Sequence, residues 1–113
     1  MVIDGTVRFP PSGAPLEVAV VRITVRDVTE MDGPAPTVAE VGLPQVAVPP
    51  SGLEPPFSID AHVDDPRRTY AVRAHADRSG SGEVETGDLV TTTTRMVDAS
   101  ANRPVILDLS PVD

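Results

Sequence analysis

A chain of 113 residues with a formal net charge of -8, no cysteine and only 3% aromatic residues excludes several kinds of protein before any segment is read. An acidic surface opposes the phosphate neutralisation on which nucleic-acid affinity rests, and the missing thiols remove disulfides, thiolate nucleophiles and zinc–thiolate sites together. Thirteen prolines and eight glycines interrupt every window long enough for an amphipathic helix, so the chain reads as all-β, one domain over residues 1–113.

In chain order, Ile3, Gly5, Val7 and Phe9 alternate with Asp4, Thr6 and Arg8, the period of two of a half-buried strand, and Pro10, Pro11 and Gly13 end it. From Glu17 to Val28, Ala19, Val21, Ile23 and Val25 form one apolar row, with Arg22, Thr24 and Arg26 opposite. The stretch from Asp27 to Pro36 is rich in turn formers and reads as a surface loop. Thr37–Val41 and Gln45–Val48 read as two strand pieces broken by Gly42 and Pro44, the pattern of an edge strand with a bulge. After the proline-rich spacer 49–56, Phe57, Ile59, Ala61 and Val63 alternate with Ser58, Asp60, His62 and Asp64 ahead of an Asp-Asp-Pro turn.

Residues 68–95 then read as a long hairpin. Its first arm places Tyr70, Val72, Ala74 and Ala76 on one face and Ala71, Arg73, His75 and Asp77 on the other; its second, Leu89 to Arg95, is dominated by threonine and suits an outer strand. Pro104 to Ser110 supplies the last strand, with Val105, Leu107 and Leu109 on one face. About seven short strands at this spacing predict an antiparallel two-sheet β-sandwich, immunoglobulin-like or transthyretin-like in architecture, with a barrel as the alternative.

The hairpin tip has the most specific local pattern. Asp77, Ser79, Ser81, Gly82, Glu83, Glu85 and Asp88 fall at the offsets of a calcium loop, although serines replace the carboxylates or carboxamides expected at the third and fifth positions and an aspartate replaces the glutamate at the twelfth. A solvated hairpin loop accounts for the same residues. His62 and His75 could form a metal or acid–base pair only if their strands were neighbours in register, and otherwise read as exposed surface histidines. Gly80-Ser81-Gly82 lacks the helix of a nucleophile elbow, and Asp64 and Asp65 before Pro66 read more simply as turn formers than as catalytic carboxylates. No catalytic motif is present, so the expectation is a non-enzymatic protein without cofactor. Arg67, Arg68, Arg73, Arg78 and Arg95 gather around the hairpin, where they could pair across strands with Asp60 or Asp64 or receive a carboxylate-bearing partner segment.

Several short pieces, taken in order, carry a family likeness: Gly5-Thr6-Val7, Val25-Arg26-Asp27-Val28, Pro34-Ala35, Val38-Ala39-Glu40, Pro56-Phe57, and Tyr70-Ala71-Val72-Arg73-Ala74-His75 leading to Gly87-Asp88 and the threonine run. Together they resemble the YbaY/YscW-like family of small β-sandwich domains in bacterial envelope lipoproteins, which includes a type III secretion pilotin that helps a secretin reach the outer membrane. The resemblance implies a protein-interaction or chaperone-like accessory role and names no catalytic residue. The expected partner is a protein or peptide added as a strand along the edge near Thr37 to Val48; nucleic acid and direct membrane insertion are not expected. The alternative is a calcium- or small-ligand-binding module centred on residues 77–88. The chain opens with Met-Val-Ile-Asp, without the basic and apolar segments of an export signal; as it stands it is expected in the cytoplasm, or in the cell envelope if an N-terminal signal was removed.

Overall fold

The structure, a computed structural model, describes residues 1–29, 35–62, 65, 67–98 and 104–112. The described residues form eight strands: β1 (Val2–Arg8), β2 (Leu16–Asp27), β3 (Thr37–Val48), β4 (Pro56–Asp60), β5 (Thr69–Asp77), β6 (Leu89–Thr91), β7 (Arg95–Asp98) and β8 (Val105–Pro111). They join one sheet in the order β3-β2-β5-β6-β8-β1-β4, with β7 beside β5. The sheet curls until its two end strands approach each other without pairing, so the molecule is a nearly closed barrel rather than the expected seven-stranded sandwich.

Three local differences produce that result. First, β1 and β8 run parallel, with Gly5 opposite Val105 and Arg8 opposite Asp108; β8 also pairs antiparallel with β6, so it ties what would have been two sheets into one. The approach is possible because residue 5 is glycine: a Cβ there would lie 2.2 Å from the Val105 carbonyl oxygen and 2.8 Å from the Phe57 ring. Second, the threonine arm is two strands. β6 pairs with His75 and Ala76, whereas β7 pairs with Thr69 to Val72, because the arm leaves the ladder after Thr91 and rejoins it at Arg95. Third, Gly42 and Pro44 do not break β3, which pairs with β2 along nearly its whole length.

The β2–β3 ladder changes face midway. Val21, Ile23 and Val25 are buried on the inner side, as is Val18, three residues rather than two or four before Val21. Gln45, near the middle of the facing strand, has φ 49°, a left-handed conformation uncommon outside glycine and asparagine, and the local turn of the backbone lets Val46 and Val48 follow Val18 inward.

The inner rows read from the alternation fill the barrel: Ile3, Val7 and Phe9, then Phe57 and Ile59, then Tyr70, Val72, Ala74 and Ala76, then Val105, Leu107 and Leu109 are all buried. With so few aromatics, the interior is closed chiefly by branched aliphatic side chains, whose shape suits a pleated surface. The predicted surface loop at 27–36 begins with an Asp27 N–H bond to the Pro36 carbonyl oxygen at 3.0 Å; residues 30–34 lie outside the described residues, as do Val63, Asp64 and Pro66.

Replacing Gly5 with valine is expected to destabilise the fold by about 3 kcal/mol or more, since neither the backbone carbonyl nor the packed ring can give way cheaply. The exchange of exposed Ile106 for threonine, on the outer side of the same β1–β8 pair, should stay within about 0.5 kcal/mol. Urea denaturation midpoints of the two variants check the contrast.

Candidate functional site

The 78–88 loop leaves β5 at Asp77 and returns to β6 at Leu89. Both aspartates that bracket it are buried, with Asp77 0% and Asp88 2% exposed, and a buried carboxylate must find donors. Asp77 accepts hydrogen bonds from the backbone N–H groups of Gly80 at 2.9 Å and Gly82 at 2.8 Å, and is ion-paired with Arg22 of the neighbouring strand. Gly80 and Gly82 have φ values of 79° and 87°, the conformations that turn both N–H groups inward and that other residues adopt with strain. Asp88 accepts from the backbone of Arg78 at 3.1 Å and Glu85 at 3.0 Å, and lies 2.9 Å from His75 Nε2. Ser79 and Ser81 each donate a hydroxyl to Glu85 at 2.6 Å.

Burial alone would push the Asp77 carboxyl up, but the Arg22 guanidinium and the N–H groups of Gly82 and Gly80 outweigh it and hold the group well below the usual carboxylate range. Asp88 shows the same balance: burial opposes ionisation, and the bonds from His75, Arg78 and Glu85 prevail, lowering its pKa. Glu85 is lowered chiefly by the two serine hydroxyls.

His75, Asp77 and Asp88 each place one ligating atom within 4.8 Å of the others. Their lone pairs, however, are directed at the loop's own donors, and a guanidinium already stands against Asp77. A calcium ion wants about six or more oxygens, and opening this cluster to one would strip several N–H groups of their acceptors. Nothing in this geometry supports the calcium reading; the offsets that suggested it arise because Asp77 and Asp88 form the base of the loop. Arg22, in the middle of an apolar strand, is the partner that periodicity analysis passes over. A charged residue at the centre of the most hydrophobic strand was the available signal, since such a position is seldom unpaired.

The remaining candidates separate. His75 is half-buried and bound to Asp88, which corrects the expectation of an exposed surface histidine, while His62 is exposed beyond the end of β4. β4 pairs with β1, and β5 with β2, β6 and β7, so the two histidines do not form a pair. The His75–Asp88 contact would orient a general base, but Ser79 and Ser81 give their hydroxyls to Glu85 instead. Asp65 is a turn former, accepting from the Arg67 N–H at 2.9 Å; its neighbour Asp64 lies outside the described residues. The expected arginine pairs with Asp60 are absent among the described residues: Arg68 meets Asp27 and Arg67 meets Asp65, because Asp60 sits on β4 opposite Val2. Arg95 donates to the Ile106 carbonyl oxygen.

What the barrel does offer is an incomplete wall. β3 is an end strand of the sheet, and its inner row, Ala39, Val41 and Leu43, together with Val46, packs against the core while staying only partly buried. These residues lie where β3 and β4 come near each other without pairing.

Fold and surface together define a small disulfide-free β-barrel with a self-satisfied charged loop and an open seam. The chain belongs to the YscW family of type III secretion system lipoprotein chaperones, whose family model matches residues 1–103. A solved structure of an alternative pilotin from the type II secretion system of Vibrio cholerae is similar over 100% of this chain and 97% of its own, at 25% identity and a TM-score of 0.61. No curated protein matches the chain. The family likeness read from the residues is thus borne out.

For the loop, the sign of the pH dependence follows from the lowered pKa values. The contributions of Asp77 and Asp88 are present above the ordinary aspartate range, near pH 4, and are lost as pH falls below it. Asp77→Asn is expected to cost about 2 kcal/mol at neutral pH, because Arg22 and a loop N–H lose their charged acceptor, and to flatten the loss of stability between roughly pH 4 and pH 2. Added calcium should leave the melting temperature unchanged. Thermal melts across pH, with and without calcium, check all three.

Proposed function

We propose that the protein is a non-catalytic accessory chaperone of the bacterial cell envelope that holds a secretion-system protein, a secretin, through a segment added along β3. The family described as secretion lipoprotein chaperones supports the role and the envelope setting, and the similarity to a pilotin supports a protein partner. The single observation that carries the site is the unclosed seam. A strand placed there would pair with the free edge of β3, complete the barrel wall and cover Ala39, Val41 and Leu43, which the chain alone leaves partly exposed. Strand addition draws its affinity from backbone groups and its specificity from alternate side chains.

The usable length of edge is bounded. Pro44 has no N–H to offer, Gln45 departs from extended geometry, and the register with β2 shifts at Val38, so the regular stretch for pairing is Ala39 to Leu43. Catalysis has no support in the disposition of the charged groups, whose carboxylates are occupied by structural bonds.

Val41→Glu, on the partly buried row of β3, is expected to weaken partner capture at least about tenfold, roughly 1.4 kcal/mol, and to reduce the secretin recovered in the outer-membrane fraction of complemented cells. Val84→Glu, on the exposed tip of the 78–88 loop, should leave both unchanged. Equal secretin recovery with the two variants would remove the seam from consideration.

A further inference from the structure

The outer face of β2, β5 and β7 carries a second, separate surface. In an antiparallel pair, residues directly opposite each other share a face. The registers place Arg26 opposite Ala71, and Ala71 opposite Met96 on β7; one step along, Thr24 stands opposite Arg73. Arg26, Ala71 and Met96 therefore form one row across three strands, and Arg73 sits beside it on the same face, diagonal to Arg26.

The chemistry of this row is unlike its surroundings. Ala71 is buried although it faces outward, and Met96, one of the few large hydrophobic side chains left in solvent, is 56% exposed. With Ala71 itself covered, the row presents to solvent one apolar side chain, Met96, with the cationic Arg26 and Arg73 on the same face. Arg26 and Arg73 are both exposed, and among the described residues neither makes an ion pair; the other arginines of this face and its margin are engaged, Arg22 by Asp77 and Arg68 by Asp27. The nearest acid in the cross-strand row is Glu40, opposite Thr24 on β3, and it is bonded to neither arginine. Two guanidinium forks without an acidic partner among the described residues, in a protein of net charge -8, are a local reversal of sign, and forked donors match a carboxylate in both charge and geometry.

We propose that this patch is a docking site for a short extended peptide segment in which an acidic residue adjoins an apolar one. The carboxylate meets Arg26 and Arg73, and the apolar side chain lies against Met96. A membrane surface fits less well, because recognition of anionic lipid draws on clusters of four or more cations and the acidic remainder of the molecule opposes it. The site lies on the face of the sheet rather than at the β3 seam, so it stands whether or not that seam binds a secretin.

The test uses the whole chain and a capped peptide alternating glutamate and leucine, followed by titration calorimetry at low salt and by backbone amide shifts. The glutamate peptide is expected to shift the amides of Arg26, Ala71, Arg73 and Met96. Its affinity should fall at least about tenfold in the Arg26→Gln/Arg73→Gln double variant, stay unchanged in Arg67→Gln, and weaken with added salt. Its glutamine counterpart should bind at least about tenfold more weakly. Equal binding by the double variant, equal binding of the glutamine peptide, or shifts confined to β3 would overturn the proposal. So would arginine-dependent binding to phosphatidylglycerol vesicles without binding of the peptide. Val41→Glu, which tests the seam, should leave the peptide affinity intact.

Discussion

The architecture depends on one close approach, that of the β8 backbone to the β1 backbone at Gly5. The Val105 carbonyl oxygen and the Phe57 ring together occupy the place where any other residue would carry its Cβ. Because that space is available, the first and last long strands lie side by side in parallel, and β8 can join β1 on one side and β6 on the other. Parallel pairing in a protein of hairpins is a long-range contact with no short turn to enforce it; the absence of one methyl group permits it. The position of the open seam follows, since closing the sheet at β8 leaves β3 and β4 as its two ends.

The inner rows of the barrel were legible in the sequence. Tyr70, Val72, Ala74 and Ala76, and likewise Val105, Leu107 and Leu109, alternate with polar neighbours, and that period alone sorts them inward. What alternation cannot supply is the choice of partner. The step from Thr92 to Thr94 has the same strand propensity whether a threonine is paired or not, so a single arm and two short strands on different stretches of β5 look identical in one dimension. Gly42 and Pro44 likewise read as breakers, yet β3 passes through both, because an end strand can accept a missing N–H that a central strand cannot.

The charged loop was legible in its positions and misread in its chemistry. Asp77 and Asp88 do stand at the two ends of a loop with oxygens converging, but the groups that meet them are N–H donors of the loop itself and a guanidinium from β2. Backbone donors leave no trace in a pattern of side chains. The glycines at 80 and 82 were the readable hint, since two left-handed residues with one residue between them can turn alternate amides toward one acceptor. Here the acceptor is the protein's own aspartate. The likeness to secretion chaperones and pilotins rests on the succession of strands and turns, so it extends to architecture and general role, while the surfaces that distinguish one such protein from another must be read from residues such as Arg26, Arg73 and Met96.

An unclosed barrel raises the question of self-association, for an exposed edge pairs as readily with a copy of itself. The proline and the left-handed glutamine at positions 44 and 45 of β3 bear on this. A second copy approaching antiparallel and a foreign extended segment meet the same end of the regular edge, where Pro44 lacks an N–H and Gln45 leaves extended geometry. The irregularity thus keeps any ladder along this edge short, whichever strand is laid there.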